Sequence, residues 1–306
     1  MRRIVVEVQQ LNKTFGRQLV LKNLTFSLEQ GKIYGLIGLN GAGKTTLMNS
    51  LAGLVKTDSG MIQLFGSSTP KELVQQREKV GSLIGSPAIH PNLTAYENLN
   101  LTRISRGIPN KELIEQTLLA VNLDPTSKKR VKHYSLGMKQ RLGIANALFG
   151  NPAFLMLDEP TNGLDPISLV EIRQLLLKAN QEKNITMLIS SNTLSELDQL
   201  ATDYLILHKG QIIEQITQQE LQDKCRRHLA LQVDELAQAL PIIEQKLQIS
   251  NYIVMPDGTL KLYEGLENLN RIFTCLADHQ IQILNVTMMD DSLENYFVDR
   301  MKEPLL

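Results

Sequence analysis

Residues 38–46 read Gly38-Leu39-Asn40-Gly41-Ala42-Gly43-Lys44-Thr45-Thr46 and match the pattern G-x-x-x-x-G-K-[ST] without a gap. An apolar run at 33–37 precedes them and predicts a buried strand, whereas residues 46–52 predict a helix. In that setting the glycines let backbone N–H groups surround a phosphate chain, and the helix N-terminus adds the positive end of its dipole. The stretch therefore predicts a binding site for a nucleoside triphosphate.

The two residue types that end the pattern, lysine and threonine, have separate predicted roles. Lys44 reaches the β- and γ-phosphates, and the hydroxyl of Thr45 binds Mg²⁺. A glycine-rich turn that contains Lys-Thr by coincidence is the alternative, and the strand and helix on either side disfavour it. The residues predicted to bind the nucleotide here are Gly38, Asn40, Gly41, Ala42, Gly43, Lys44, Thr45 and Thr46.

Composition limits the possible classes of protein. At 306 residues, of which 42% are hydrophobic, the chain is long enough for two domains with sizeable cores. Its 32 basic and 32 acidic side chains balance, which gives no support for a nucleic-acid partner. The cysteines, Cys225 and Cys275, lack metal-ligand spacing and favour reduced thiols in a cytosolic protein. No apolar stretch approaches about 18 residues, so we expect neither a signal peptide nor a membrane span.

The order of apolar segments predicts an α/β protein with a second, smaller domain. Residues 1–30 resemble short strands separated by turns, and 93–150 carry mostly helical patterning. Strand and helix patterns then alternate, which predicts a mostly parallel sheet with helices on both faces. Beyond about residue 216 the character changes, and residues 222–306 predict a small α+β domain without a phosphate or catalytic motif. The strand candidates after the helical region are Phe154–Leu157, Ile185–Ile189 and Tyr204–Leu207.

A second motif is an apolar strand that ends in two carboxylates, Phe154-Leu155-Met156-Leu157-Asp158-Glu159. A buried strand would hold Asp158 rigidly at the site, where its carboxylate supports Mg²⁺ directly or through water. Glu159 would then polarise the attacking water. A strand with this ending is common by itself, but about 110 residues after a phosphate loop it predicts a nucleotide-hydrolysing site.

A third motif reads Tyr134-Ser135-Leu136-Gly137-Met138-Lys139-Gln140-Arg141-Leu142. Gly137 lies where a helix is expected to begin, and Ser135 is a suitable cap for that helix. A serine hydroxyl and exposed N–H groups at a helix start can bind an anion. Taken alone, the motif favours an ordinary helix cap.

The order of the three motifs resembles the ATP-binding subunit of an ABC transporter, and the resemblance covers residues 4–216. It implies a P-loop NTPase fold of the ABC type with a RecA-like core, an antiparallel β subdomain and a helical subdomain at about 90–150. The nucleotide-binding domain would then be 1–221, followed by an accessory α+β domain at 222–306. Further nucleotide contacts are implied for Ser135, Gly137, Gln140, for Asp165 after Leu164, and for Phe15, which would stack on adenine. A core aromatic is the alternative for Phe15.

The resemblance also implies partners. Two such domains pair head to tail, so that ATP and Mg²⁺ on the phosphate loop of one copy are covered by Ser135 and Gly137 of the other. Closure and reopening would drive separate membrane subunits, here a permease of the ABC-2 type, with this chain peripheral on the cytoplasmic face of the membrane. A homodimer is expected, although a heterodimer remains open.

Other stretches resemble the bacitracin-resistance and lantibiotic-immunity branch, which protects Gram-positive bacteria by peptide export. The residues that carry this narrower resemblance are Tyr134–Ala145, Ser86-Pro87-Ala88, Asn92–Leu99 and Ser292-Leu293-Glu294-Asn295-Tyr296-Phe297.

Two positions depart from the family pattern. The family has glutamine or glutamate where this chain has Gly85, and a histidine for the γ-phosphate where it has Asn192. Asparagine donates a hydrogen bond but has a shorter arm and cannot become cationic. We hypothesise that ATP binding is retained and hydrolysis is slow. Two alternatives stay open: Glu159 alone suffices for hydrolysis, or the chain is an ATP-gated dimerisation switch with little turnover. A DNA-repair or translation protein is disfavoured by the zero net charge and the single cassette.

Overall fold

The computed structural model describes residues 3–192, 194–225, 227–289 and 293–302. These divide into two compact units, one up to Gln218 and one from Gln219 onward. In chain order, the elements of the first unit are β1 (Ile4–Phe15), β2 (Gln18–Glu29), β3 (Ile33–Ile37), α1 (Lys44–Ala52), β4 (Ser59–Leu64), α2 (Pro70–Arg77), β5 (Val80–Leu83), α3 (Ala95–Ser105), α4 (Glu112–Ala120), a 3-10 turn (Val131–His133), α5 (Leu136–Leu148), β6 (Phe154–Asp158), α6 (Pro166–Lys183), β7 (Thr186–Ser191), α7 (Leu194–Asp198), β8 (Asp203–His208) and β9 (Gln211–Thr217).

A six-stranded sheet in the order β5-β6-β7-β3-β8-β9 forms the centre of the first unit. Its first five strands run parallel, and β9 returns antiparallel to β8. Every residue of β3, β6, β7 and β8 is buried, as expected for strands covered by helices on both faces. Parallel strands end at one edge, so the segments after β3, β6 and β7 meet there. The predicted alternation of strands and helices is thereby confirmed.

A second sheet is antiparallel, with the strand order β2-β1-β4. Its strands within residues 1–30 are longer than the short strands expected from the sequence. Both β1 and β2 are 12 residues long. The polar residues that suggested turns lie at irregularities inside them: Gln10 and Asn23 have φ of 49° and 50°, and the register shifts between Val8 and Leu11. Bulges therefore absorb residues that a sequence pattern assigns to turns.

The helical region consists of α3, α4 and α5, which pack around an apolar cluster that includes Leu99, Leu118, Leu142 and Phe149. Helix α3 begins with a capping box, because the Thr94 hydroxyl accepts from the backbone N–H of Glu97 and the Glu97 carboxylate accepts from that of Thr94. The prediction of a mostly helical segment at 93–150 is confirmed.

The second unit has an α+β architecture, as the sequence predicts. Its elements are α8 (Gln218–Lys224), β10 (His228–Val233), α9 (Leu236–Gln245), β11 (Tyr252–Val254), β12 (Leu260–Leu262), α10 (Leu269–Asp278), β13 (Ile283–Met289) and α11 (Leu293–Lys302). The strands form an antiparallel sheet in the order β11-β12-β10-β13, with α9 and α10 contributing to its apolar core. Ser292, at the start of one stretch of the branch resemblance, lies outside the described residues.

No helix within the described ranges is both long enough and apolar enough to cross a membrane.

Candidate functional site

The loop between β3 and α1 has a backbone that requires glycine. Gly41 and Gly43 have φ of 80° and 111°, in the left-handed region. A Cβ on Gly38 would lie 2.4 Å from the carbonyl oxygen of Leu207. The loop borders a cleft of about 300 Å³. The residues lining this cleft are Gln18, Val20, Leu39, Asn40, Gly41, Ala42, Gly43, Lys44, Thr45, Thr46 and Glu159.

Lys44 is the first residue of α1, and only 6% of its surface is exposed. Its ammonium donates hydrogen bonds to the carbonyl of Gly38 (2.7 Å) and to Oδ1 of Asn192 (2.6 Å). Oε1 of Glu159 lies 3.8 Å from the same nitrogen. Burial lowers the pKa of Lys44, and the carboxylates of Glu159 and Asp158 oppose that shift. The cation is thus surrounded by oxygen atoms of Gly38, Asn192 and Glu159.

Thr45 and Asp158 are in direct contact beside the cleft. The Thr45 hydroxyl donates to Oδ2 of Asp158 (2.8 Å), and the Ser190 hydroxyl donates to Oδ1 (2.5 Å). The end of β6 and the end of β7 therefore place the carboxylate against the start of α1. A hydroxyl and a carboxylate are hard oxygen ligands, and Mg²⁺ takes one or two such ligands from a protein when it also binds phosphates. This pair of side chains fits the ion.

Glu159 has a left-handed backbone, with φ of 49°. Its N–H donates to the carbonyl (3.2 Å) and hydroxyl (3.0 Å) oxygens of Ser190, which holds this conformation. The side-chain amide of Asn162 donates to Oε2 (3.2 Å). The carboxylate therefore has a fixed position on the cleft wall, next to the ammonium of Lys44.

The two departures from the family pattern occupy different surroundings. Asn192 follows β7 directly and contacts Lys44. Gly85 is two residues past β5 and has φ of 68°, and no atom of the described residues lies within 4 Å of an added Cβ. It is not among the described residues that line the cleft.

Phe15 ends β1 and is 48% exposed, which excludes the alternative of a core aromatic. It pairs across the strands with Gln18, a residue of the cleft wall. The ammonium of Lys13 lies 4.9 Å from the centre of its ring. The ring is thus exposed at the end of a strand whose pairing partner lines the cleft.

The third motif and Asp165 lie together, apart from the residues lining the cleft. Ser135 caps α5, accepting from the backbone N–H of Met138 (3.3 Å), and it is exposed. Asp165 caps α6 and accepts from the N–H (3.0 Å) and hydroxyl (2.7 Å) of Ser168. A Cβ on Gly137 would lie 3.0 Å from that same hydroxyl, and Gln140 is buried.

Two functional candidates were missed by the sequence analysis. Ser190 binds the Asp158 carboxylate, and Glu196 accepts a hydrogen bond from Thr161. The signal for Ser190 was a hydroxyl residue at the end of an apolar strand, next to the strand of Asp158. Nothing in the order of the motifs pointed to Glu196.

Comparison with known proteins agrees with this geometry. The ABC transporter family profile matches residues 21–162. The chain is 40% identical to the bacitracin transport ATP-binding protein BcrA of Bacillus licheniformis over 96% of both chains. It is also 40% identical to the lantibiotic transport ATP-binding protein SrtF of Streptococcus pyogenes, over 68% of this chain and 89% of SrtF.

Solved structures share the fold. An ATP-binding subunit of an ABC transporter is 26% identical with a TM-score of 0.65, covering 72% of this chain and 92% of that one. A dimeric ATP-binding cassette with bound ADP and phosphate has a TM-score of 0.64 at 24% identity, covering 70% of this chain and 98% of that one.

The chain belongs to the ABC transporter family, as an ATP-binding subunit. Subunits of this family hydrolyse ATP to drive transport, pair as cassettes and work with membrane subunits. Both the family and the bacitracin and lantibiotic branch predicted from the motifs are confirmed.

Proposed function

We propose that this chain powers the export of a peptide antibiotic, or of a similar amphipathic compound, and so protects its cell. The observation that carries the proposal is the 40% identity to the bacitracin transport ATP-binding protein over 96% of both chains. That match includes the second unit as well as the nucleotide-binding part. The chain would lie on the cytoplasmic face of the membrane, bound to a permease of the ABC-2 type.

The site residues support specific roles within this function. The loop at 38–46 binds the phosphates of ATP, and Lys44 exchanges its bond to Asn192 for phosphate oxygens. Thr45 and Asp158 would hold Mg²⁺, which when bound neutralises charge on the β- and γ-phosphates. Glu159, fixed on the cleft wall, polarises the attacking water.

A second copy of the chain completes the site in this proposal. Ser135 and Gly137 lie outside the cleft of their own chain, and Ser135 is exposed with a helix N-terminus behind it. Such an end binds anions. Ser135, Gly137, Gln140 and Asp165 of one copy would therefore cover the ATP on the other. We place the nucleotide-binding domain at 1–221 and the accessory domain at 222–306.

Slow hydrolysis is part of the proposal. Asn192 supplies a neutral amide at the position of the family's histidine, and Gly85 supplies no side chain. Losing one preorganised donor to developing charge typically lowers a rate by about 10²–10³. The Asn192→His variant should therefore raise ATP turnover of the complex with its membrane subunits, and Gly85→Glu should add to it.

The experiment measures ATP turnover of the chain alone and with the membrane subunits, together with antibiotic sensitivity of cells that carry or lack them. Export predicts that the membrane subunits stimulate turnover and that their loss sensitises cells. Equal turnover in the unmodified chain and the Asn192→His/Gly85→Glu variant would contradict slow hydrolysis. An ATP-gated dimerisation switch, favoured by the same two residues, predicts ATP-dependent pairing with negligible turnover.

A further inference from the structure

Glu196 connects two segments that carry different parts of the site. Its Oε2 accepts a hydrogen bond of 2.5 Å from the Thr161 hydroxyl and one of 3.3 Å from the Ser191 hydroxyl. Thr161 is two residues past Glu159, and Ser191 is adjacent to Asn192. A single carboxylate oxygen of Glu196 thus connects the segment that carries Glu159 with the segment that carries Asn192.

These contacts are partly buried. Thr161 is 7% exposed and Ser191 is 5% exposed. Both border a cavity of about 110 Å³ that Glu159, Asn192 and Glu196 also line. Hydrogen bonds to a charged acceptor are stronger than neutral ones, and burial increases their effect on geometry. The connection is therefore suited to fixing positions within the site.

The segment held by Thr161 leads directly to Asp165. Its turns are closed by backbone bonds from Asn162 to Glu159 and from Leu164 to Thr161, both of 3.2 Å. Gly163 adds a left-handed φ of 73°. These bonds are local, whereas the Thr161 side chain bonds Glu196 and so connects the segment to α7.

We propose that Glu196 is a positioning residue for ATP hydrolysis, holding Thr161 and Ser191 so that Glu159 and Asn192 face the γ-phosphate together. The inference rests on the proposed ATPase function. Through its bond to Thr161, Glu196 also holds the segment 160–165. In the proposed ATPase, this segment faces the second copy of the chain. The residues that Glu196 contacts, Thr161 and Ser191, do not belong to the loop at 38–46, which sets the affinity for ATP. Loss of Glu196 should thus lower kcat and leave the Kd for ATP unchanged.

The test uses the full-length chain with its membrane subunits. Thr161→Val removes the hydroxyl at nearly constant volume, and Thr161→Ser keeps it. Glu196→Ala removes the acceptor, and Glu196→Gln keeps an acceptor oxygen. We expect kcat to fall on the order of tenfold in Thr161→Val and Glu196→Ala, as for other groups that orient a site residue, and to stay near normal in the conservative variants.

A matched control is Thr102→Val, which deletes a hydroxyl bonded to Asn146 (2.8 Å) in the helical region. The double variant Thr161→Val/Glu196→Ala should be no slower than Glu196→Ala alone, since the loss of Glu196 already breaks the contact with Thr161. Equal losses in Thr161→Val and Thr102→Val, additive losses in the double variant, or a parallel rise in the Kd for ATP would overturn the inference.

Failure of the proposed function gives a different result. If the unmodified complex does not hydrolyse ATP, pairing of copies in Mg²⁺ and ATP, measured by sedimentation, becomes the readout. Weaker pairing in Thr161→Val but not in Thr161→Ser then supports the positioning role, and equal pairing in both overturns it.

Discussion

Individual residues in this cleft are held in place by contacts with one another. The ammonium of Lys44 donates to Asn192 and lies 3.8 Å from Oε1 of Glu159. The Thr45 hydroxyl donates to Asp158. Preorganised groups of this kind cost little reorganisation when charge develops during a reaction. Single substitutions are therefore expected to separate binding from turnover.

Asp158 accepts hydrogen bonds from two hydroxyls, those of Thr45 and Ser190. In Asp158→Asn one oxygen becomes an NH₂ donor, so one hydroxyl loses its acceptor and the negative charge disappears. We expect the Mg²⁺ concentration for half-maximal ATP turnover to rise about tenfold or more. A Mg²⁺ titration measures this, with the exposed carboxylate of Asp124, changed to Asn, as the control. An unchanged Mg²⁺ titration in Asp158→Asn would show that Asp158 does not contribute to Mg²⁺ binding.

Gly85 tests backbone strain separately from chemistry. An alanine there keeps a left-handed φ of 68°, and its Cβ meets no atom in the described part of the chain within 4 Å. The cost is therefore conformational, about 1–2 kcal/mol in the free energy of unfolding. Gly107 has φ of 63° and equally open surroundings. Gly107→Ala should therefore cost the same in urea denaturation. A much larger loss in Gly85→Ala alone would mean that Gly85 has a contact partner in the folded chain.

At the level of helices and strands, an element could be predicted from the sequence when the residues that determine it are adjacent in the chain. The strand β3, its phosphate loop and the strand β6 were predictable, because an uninterrupted apolar run and a dense motif both lie in adjacent residues. The length of β1 and β2 was not, because bulges at Gln10 and Asn23 depend on the pairing of the two strands. Glu196 was missed for the same reason: its partner Thr161 is 35 residues away in sequence.

The hairpin of β8 and β9 carries a buried histidine, His208. Burial lowers its pKa, and the neighbouring Lys209 lowers it further. The unfolded state takes up a proton near the ordinary value of about 6.5, while the folded state stays neutral to lower pH. The unfolded state therefore binds more protons below that value, and the free energy of unfolding falls as the pH drops.

His208→Gln should remove this part of the acid sensitivity. Urea denaturation between about pH 7.5 and about pH 5.5 measures it, because His titrates in this range. The exposed His133 gives the control variant His133→Gln, which should keep the slope of the unmodified chain. An identical slope in His208→Gln and the unmodified chain would show that His208 titrates alike in both states.

At the scale of the whole molecule, the chain has two units with separate apolar cores. The described residues that line the nucleotide cleft all lie in the first unit. A chain that ends at Leu221 should therefore bind ATP with a Kd within about twofold of the full-length value, as for independent sites. Fluorescence titration with a nucleotide analogue checks this. A large loss of affinity would make the second unit part of the nucleotide site.

The sharing of one ATP site between two copies is also a property of the whole molecule. The sequence indicated it only through resemblance, because no pattern within one chain states which surface meets another. In the single chain, Ser135 is exposed and does not line the nucleotide cleft, which agrees with a site shared between two copies.

The left-handed backbone of Glu159 affects the outcome of selecting thermostable variants of this protein. A side chain at φ of 49° carries a conformational penalty that glycine or asparagine would relieve. Selection for heat resistance alone is expected to reach Glu159→Gly or Glu159→Asn early. Each would yield a more stable chain without the carboxylate that we propose polarises the attacking water. Screens for thermal tolerance should therefore score survival under antibiotic challenge in the same round.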